Sequence, residues 1–306
     1  MMASVRFDAT KRLVAMLGVT ALAACSPVRI FNALMPRDSG GVRLVHDAPF
    51  GAEKRQRLDV YAPCQAGAEP LPVIVFLYGG SWNSGTKDGY GFVGDALAAR
   101  GFLVAIPDYR LVPAVHYPAF LEDNAAAVRW VRQHAVQLGG DPDRIVLAGH
   151  SAGAYNAAML ALDPRWLGAD RSAVKGLIGL AGPYDFLPFK GPIIEPAFAG
   201  VADPVSTQPV HYARADAPPA FLASADKDML VLPRNSDALA QALRGQGVAV
   251  ERKSYPDVGH IGLVTAIAKP LRGNASVLED MADFAHNVTL LKRWACPSGS
   301  DGNGQG

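Results

Sequence analysis

The 306-residue sequence has almost no net charge, few cysteines and no internal repeats. Its 29 lysines and arginines nearly balance its 28 aspartates and glutamates, and the basic residues form no stripe. A nucleic-acid partner is therefore not predicted, because it would require a basic footprint. No cluster of His, Cys and Glu has the spacing of metal ligands, so neither a metal nor another cofactor is predicted. The chain is long enough for one large domain with a deep core.

The N-terminal residues have the features of an export signal. Positive charges precede an apolar segment at 13–22, which is too short to span a bilayer. It ends at Leu-Ala-Ala-Cys25, which resembles the lipobox of bacterial lipoproteins, whose cysteine is lipidated and becomes the first mature residue. Ser26 after that cysteine, rather than Asp, implies an outer-membrane anchor that faces the periplasm. Ordinary secretory cleavage is the alternative.

Two cysteines remain besides Cys25. Cys64 and Cys296 form an even pair in an oxidising compartment, so a disulfide between them is predicted, with two inert thiols as the alternative. The bridge would join the first strands to the end of the last helix. It would stabilise the fold by about 4–5 kcal/mol on the chain-entropy account.

Strand and helix patterns alternate along the rest of the chain. Apolar runs predict strands at residues 58–61, 73–77, 102–106, 144–148, 177–181, 220–223 and 248–255. Helical patterns occur at residues 92–100, 119–138, 152–162, 235–244 and 277–294. This alternation predicts an α/β fold with a mainly parallel sheet wrapped by helices on both faces. Ligands bind such sheets outside the carboxyl ends of the strands.

The predicted organisation has one folded domain with flanking segments. Residues 1–24 are the signal peptide, 25–50 a tether leading into the domain, and 51–296 the domain itself. Residues 297–306 are rich in Gly and Ser and form a predicted disordered tail. Within the domain, residues 183–218 are rich in proline and aromatics and lack a period. A long segment of this kind is usually functional, so we predict a short lid over the site.

The pentapeptide Gly149-His150-Ser151-Ala152-Gly153 carries the strongest chemical signal. It follows a predicted strand and opens a predicted helix, as a nucleophile elbow requires. The glycines keep Cβ atoms away from the turn, so that the serine hydroxyl is exposed. Ser151 is therefore the predicted nucleophile.

A serine nucleophile needs a base, and the base needs an orienting carboxylate. His260 follows the last predicted strand and so lies on the same sheet edge as Ser151, while His116 and His211 remain as alternatives. The chain order Ser–acid–His restricts the carboxylate to positions between 151 and 260. Asp228 is preferred over Asp226, because an apolar residue three places after it could pack the loop and hold the carboxylate inward.

The oxyanion formed during acyl transfer needs backbone N–H donors. Gly79 and Gly80 follow a predicted buried strand, so their backbone can approach a ligand closely. The N–H of Ala152 starts the elbow helix and is the second predicted source. A tight turn is the alternative reading of the two glycines.

These residues together resemble the α/β-hydrolases. The stretch from Tyr78 to Trp82, Tyr-Gly-Gly-Ser-Trp, is similar to the oxyanion loops of hormone-sensitive-lipase-like and kynurenine-formamidase-like esterases. Pro-Asp108-Tyr-Arg110-Leu and Gly-Gly-Asp-Pro-Asp-Arg at 139–144 recur in the branch with the BD-FAE and prenylcysteine-methylesterase-like carboxylesterases. The resemblance implies an α/β-hydrolase fold with a triad and an oxyanion hole of backbone amides. The implied triad is Ser151, Asp228 and His260, and the implied amides are those of Gly80, Ser81 and Ala152.

Two positions depart from the family pattern. Tyr78 stands where the family usually has a histidine that supports the loop, and Ala225 stands where a glycine commonly precedes the acid loop. Asp108 and Arg110 are interpreted as structural residues that brace the oxyanion loop.

The function implied is a serine carboxylesterase for small to medium acyl or aryl esters. Trp82, Tyr155 and Phe186 are the candidate pocket residues. An amidase, formamidase or acyl-peptide hydrolase could use the same triad, because the leaving-group preference depends on pocket shape. A binding protein on a hydrolase scaffold is the alternative from another class. The predicted partners are a small-molecule ester and the membrane, and the sequence does not define an oligomeric state.

Overall fold

The computed structural model of the protein describes residues 27–65 and 67–290. The strands are β1 Gly41–Pro49, β2 Arg57–Pro63, β3 Leu71–Leu77, β4 Leu103–Pro107, β5 Gly140–His150, β6 Val174–Leu180, β7 Ala220–Ala225 and β8 Val250–Tyr255. The helices are α1 Pro27–Leu34, α2 Gly91–Ala98, α3 Ala119–His134, α4 Ala152–Leu162, α5 Pro164–Leu167, α6 Ile194–Ala197, α7 Arg234–Gly245, α8 His260–Thr265 and α9 Val277–Thr289. None of the helices described is both long enough and apolar enough to cross a membrane.

The eight strands form one sheet in the order β1-β2-β4-β3-β5-β6-β7-β8. β2 runs antiparallel to both of its neighbours. The six strands after it in this spatial order, β4, β3, β5, β6, β7 and β8, run parallel to one another. Every position of β4 and β7 is buried. Consecutive burial requires helices on both faces of the sheet, because neighbouring side chains point to opposite sides. The predicted α/β architecture is confirmed.

Each predicted strand and helix is present, with shifted ends. The elbow helix begins and ends where the sequence places it, at Ala152 and Leu162. The predicted helix at 119–138 becomes α3 and then a single 3₁₀ turn, Val136–Leu138. The last helix ends at Thr289, five residues short of its predicted end at 294, and residues 291–306 lie outside the described chain.

The segment at 25–50, expected to be a tether, contributes to the sheet where it is described. β1 pairs with β2 along its length, and α1 contacts the 3₁₀ turn Lys87–Gly89. Most β1 residues are exposed or half-buried, so the strand lacks the apolar run by which buried strands are recognised. The boundary at residue 50 therefore falls inside a folded unit rather than between a tether and a domain.

The lid segment at 183–218 contains short helical turns and no strand. Beside α6, these are the 3₁₀ turns Pro204–Thr207 and Pro209–Tyr212. The segment is fastened to the elbow helix, because the Tyr155 hydroxyl donates a 2.8 Å hydrogen bond to the Thr207 carbonyl. It lies beside the carboxyl ends of the parallel strands, where Ser151 and the loop after β7 also lie.

Candidate active site

Ser151 occupies a strained turn between β5 and α4. Its backbone has φ 55° and ψ −125°, a conformation that a side chain rarely adopts and that costs about 1–3 kcal/mol. A Cβ on Gly149 would collide with the Gly153 carbonyl, and a Cβ on Gly153 would collide with the Leu77 carbonyl of β3. Only glycines allow the strand, the turn and the helix to approach this closely. The turn holds the Ser151 hydroxyl at the wall of a cavity.

A continuous chain of hydrogen bonds joins Ser151, His260 and Asp228. The Ser151 Oγ and the His260 Nε2 are 2.9 Å apart, and the His260 Nδ1 lies 2.6 Å from the Asp228 Oδ2. With a carboxylate at Nδ1, that nitrogen carries the proton and Nε2 is free to accept one from the serine. All three side chains are buried, and His260 is the first residue of α8.

Two backbone amides hold the Asp228 carboxylate. Its Oδ1 accepts hydrogen bonds of 2.8 Å from the N–H groups of Leu230 and Val231, which leaves Oδ2 for the imidazole. The sequence suggested instead that apolar packing holds this loop inward. The apolar residue in question, Val231, is half-buried and lines the cavity, whereas Met229 and Leu230 are 88% and 68% exposed. Apolar packing therefore holds the loop only in part, and the two amide hydrogen bonds orient the carboxylate.

The alternative residues lie elsewhere. Asp226 is exposed, and its carboxylate accepts a hydrogen bond from the Ser254 hydroxyl. The His116 Nδ1 is 2.6 Å from the Pro196 carbonyl, and His211 is exposed in the lid. The structure thus brings Asp228 and His260 to Ser151 and keeps the other candidates away from it.

The oxyanion loop follows β3 and runs alongside the elbow. Two consecutive residues of it, Ser81 and Trp82, have positive φ values of 51° and 60°. The Gly80 carbonyl accepts the N–H groups of Asn83 and Ser84, which closes the loop into a tight turn. Within the described chain, the N–H groups of Gly80, Ser81 and Ala152 donate to no protein acceptor. They are free to bind a substrate oxygen.

A buried polar network supports this loop from below. The Tyr78 hydroxyl donates a 2.7 Å hydrogen bond to Asp108 and accepts one of 2.9 Å from Arg55. Burial raises the pKa of Asp108 and raises that of Tyr78 well above 10. Tyr78 and Asp108 therefore have the supporting roles expected of them. Arg110 makes no hydrogen bond to the loop within the described residues and instead pairs with Asp123 of α3 at 2.7 Å.

His150 is a site residue whose role sequence reasoning missed. Its Nε2 lies 3.0 Å from the main-chain carbonyl of His260 and donates to it, while its Nδ1 has no hydrogen-bond partner among the described residues. Complete burial, together with the nearby His260, lowers the pKa of His150 to about 3. The ring therefore stays neutral and ties the elbow to the start of α8. No motif could reveal this bond, because it joins residues 110 positions apart.

A cavity of about 420 Å³ opens above Ser151. Trp82 and Phe186 line it, as the sequence suggested, and the Trp82 indole is fixed by a 3.0 Å bond from its Nε1 to the Asn156 Oδ1. Tyr155 is not among the lining residues. It packs edge-on against Trp82, with ring centroids 5.2 Å apart, and its hydroxyl turns toward the lid. Its helix position therefore puts it one layer behind the pocket wall.

Some predicted features lie outside the described residues. Cys25 and Cys296 both fall there, while Cys64 is exposed just after β2. The predicted lipidation and the predicted disulfide therefore stay predictions. In the two described ranges, no group of three His, Cys, Asp or Glu side chains could hold a metal ion.

The comparisons with known proteins agree with this fold. Carboxylesterase NlhH of Mycobacterium tuberculosis (strain CDC 1551 / Oshkosh) is 32% identical over 230 residues, which cover 67% of this chain and 71% of that one. Esterase LipQ of Mycobacterium tuberculosis (strain ATCC 25618 / H37Rv) is 29% identical over 281 residues, 83% of this chain and 64% of that one. The crystal structure of Esterase B from Lactobacillus Rhamnosis (HN001) superposes with a TM-score of 0.75 at 17% identity, covering 91% of this chain and 96% of that one.

The family assignment rests on a match to a family sequence model that spans more than half of the chain. The sequence model of the BD-FAE family matches residues 58–243, which include the oxyanion loop, the elbow and the turn that holds Asp228. The superposition with Esterase B covers 91% of this chain, so the fold likeness extends beyond the region that the family model matches. The chain therefore belongs to the BD-FAE family and has the α/β-hydrolase fold.

Proposed function

We propose that this protein hydrolyses carboxylic esters through an acyl-enzyme formed on Ser151. Its relatives NlhH and LipQ are named as a carboxylesterase and an esterase, and this supports ester hydrolysis as the reaction. The observation that carries the residue roles is the unbroken hydrogen-bond chain from Ser151 through His260 to Asp228 at the wall of an open cavity. A serine, an imidazole and a carboxylate in this order are the components of nucleophilic acyl transfer.

The first half of the reaction forms the acyl-enzyme. The Ser151 Oγ attacks the ester carbonyl carbon while its proton passes to the His260 Nε2. Asp228 holds the imidazole in the required tautomer and stabilises the cation that forms. The N–H groups of Gly80, Ser81 and Ala152 bind the negative oxygen of the tetrahedral intermediate. The bond to the alcohol oxygen then breaks, and His260 returns the proton to the leaving alcohol.

The second half releases the acid. His260 takes a proton from water, the hydroxide attacks the acyl carbon, and the bond to the Ser151 Oγ breaks with return of the proton to that oxygen. In both halves of the reaction, His260 accepts each proton and returns it. The cavity volume and the aromatic rings of Trp82 and Phe186 favour a small to medium acyl or aryl group.

The test is kcat/KM on 4-nitrophenyl esters from acetate to palmitate, with soluble protein that starts after Cys25. We expect an optimum at short or medium acyl chains, and we expect Ser151→Ala to lower kcat/KM by about 10³-fold or more. Ser172→Ala removes an exposed hydroxyl in the 3₁₀ turn before β6 and serves as the control. A fluorophosphonate should label the wild type and not Ser151→Ala. A wild type inert on all esters and unlabelled would contradict the proposal.

We also propose that the domain is held at the periplasmic face of the outer membrane by a lipid on Cys25, and that Cys64 is bridged to Cys296. The lipobox-like sequence supports the first, and the exposure of Cys64 supports the second. Mass spectrometry of the mature protein tests both. A lipid-modified peptide starting at Cys25 and a linked pair of cysteine peptides are expected. An unmodified N-terminus or two free thiols would contradict the corresponding proposal.

A further inference from the structure

The cavity above Ser151 contains positive charge without negative charge. Most of its wall is apolar, formed by side chains such as Trp82 and Phe186. Two charged side chains complete the wall, Lys190 from the lid and Arg234 from the first position of α7. Among residues 27–65 and 67–290, no carboxylate lines this cavity. Two cations from separate elements thus converge on one cavity whose other walls favour an apolar group.

Neither cation is neutralised by its neighbours. No carboxylate of residues 27–65 or 67–290 lies within 4.0 Å of Lys190 or Arg234, whereas most arginines of the same ranges have such a partner. On α7 itself, Asp237 pairs with Arg252 and not with Arg234. In the lid, Glu195 accepts the Gly191 N–H, and no ion pair joins it to Lys190. Arg234 therefore belongs to a minority of the described arginines, whereas Lys190 shares its lack of a carboxylate partner with Lys54, Lys175 and Lys269.

The backbone adds to the positive potential at this cavity. α7 begins at Arg234 and has no side-chain cap on its first turn, and its first two residues, Arg234 and Asn235, line the cavity, so the partial positive charge of this helix end lies at the cavity wall. α4 likewise begins at Ala152, which also lines the cavity. The Asp228 carboxylate keeps its negative charge, but it is buried behind the His260 imidazole and does not line the cavity.

We propose that the ester hydrolysed at this site carries an anionic group, a carboxylate or a phosphate, that binds between Lys190 and Arg234. This rests on the proposed function, since it names the substrate class of the same active site. The apolar part of the substrate lies against Trp82 and Phe186, with the scissile carbonyl at Ser151. The anion belongs either to the acyl group, as in a monoester of a dicarboxylic acid, or to the alcohol.

The experiment measures the kcat/KM ratio of an anionic ester to its neutral counterpart. For the acyl side, the pair is 4-nitrophenyl hydrogen glutarate and 4-nitrophenyl hexanoate. For the alcohol side, it is 4-carboxyphenyl butyrate and 4-carbamoylphenyl butyrate. Each ratio is measured in the wild type, in Lys190→Gln/Arg234→Gln and in Lys175→Gln. Lys175 lies at the far end of β6 from the site and controls for the loss of a distant charge.

For one of the two ester pairs, we expect the double variant to lower the ratio of kcat/KM for the anionic ester to kcat/KM for the neutral ester by about tenfold or more. Each single variant should lower this ratio by about threefold to fivefold. The change should be in KM rather than in kcat, because the anion is bound equally in the ground and transition states. Raising the salt from about 20 mM to 500 mM should lower the wild-type ratio and leave that of the double variant nearly constant. Lys175→Gln should retain the wild-type ratio.

Two results would overturn the inference while the proposed function stands. One is an anionic-to-neutral kcat/KM ratio that, for both ester pairs, is the same in the double variant as in the wild type. The other is a drop of equal size in Lys175→Gln, which would assign the effect to net charge. If no ester is hydrolysed in a Ser151-dependent manner, the proposed function itself fails, and this inference fails with it.

Discussion

Two buried aspartates follow strands at the same edge of the sheet and have different surroundings. Asp108 comes directly after β4, and its carboxylate accepts the Tyr78 hydroxyl and the Lys87 N–H at 2.7 Å each, with Arg55 at 3.5 Å. Asp228 follows β7, and its carboxylate accepts two amides and the His260 imidazole. The Asp108 carboxylate is bound only by groups that take no part in proton transfer. The Asp228 carboxylate binds the His260 imidazole, which can exchange protons with a substrate.

The comparison shows that burial and hydrogen bonding alone do not identify a catalytic carboxylate. Both aspartates are buried and well bonded, and burial raises the pKa of Asp108. What separates them is the partner, because only the Asp228 partner reaches the nucleophile, at 2.9 Å. Asp108 instead fixes the loop whose amides face the cavity. Asp228 therefore affects the reaction through the His260 imidazole, which carries the proton, and Asp108 affects it through the conformation of the oxyanion loop.

The largest effect is expected for Asp228→Asn. The amide cannot hold the imidazole in the tautomer that accepts the serine proton, so kcat on 4-nitrophenyl butyrate should fall by about 10³–10⁴-fold. Stability should change little, because the side chain keeps its shape and an oxygen for the two amides. The matched control is Asp226→Asn, an exposed carboxylate two residues earlier, which should change kcat less than about twofold. Near-normal turnover in Asp228→Asn would remove it from the triad.

An intermediate effect, on stability, is expected for Asp108→Asn. Asparagine keeps an oxygen for the Tyr78 hydroxyl and the Lys87 amide, but loss of the buried charge opposite Arg55 should lower the free energy of unfolding by about 2 kcal/mol in urea titrations. The value of kcat should fall less than about tenfold, since the oxyanion loop loosens but the triad is intact. Asp143→Asn, whose pair with Arg132 is exposed, should cost under about 0.5 kcal/mol. A variant of full stability that had lost turnover as severely as Asp228→Asn would erase the distinction between the two aspartates.

An effect on kcat smaller than that of Asp228→Asn is expected at His150, which links the elbow to His260. His150→Leu removes the donor to the His260 carbonyl and should lower kcat about tenfold, whereas His150→Gln keeps a donor and should stay within about threefold of the wild type. Equal losses in the two variants would exclude a role for this hydrogen bond in positioning His260.

The same residue predicts a pH dependence of stability. The pKa of His150 is about 3 in the folded protein and about 6.5 in the unfolded chain, so only the unfolded chain binds the proton between these values. Stability should therefore fall as the pH drops below 6.5, by up to about 1.4 kcal/mol per pH unit from this group. In urea titrations at pH 7 and pH 5, the wild type should lose about 2 kcal/mol more than His150→Gln. Parallel losses would contradict this.

Much of the fold could be predicted because its signals are local. Buried parallel strands are continuous apolar runs, and the helix after Ser151 is marked by its position behind the glycine turn. β1 was missed because an exposed edge strand has no such run. The helix α8 was missed because it is six residues long and its sequence reads as a continuation of the loop after β8.

The sequence by itself determined the elbow, the order of serine, acid and histidine, and the glycine loop, since each is a short stretch whose conformation depends on its own residues. Only the tertiary structure decided how Asp228 is held, that Tyr155 lies behind the pocket wall, and that His150, Lys190 and Arg234 belong to the site. These outcomes depend on contacts between distant residues, such as Ser151 and His260, which are 109 positions apart. The direction of a side chain at such a contact is set by the packing of whole strands and helices, which no local pattern encodes.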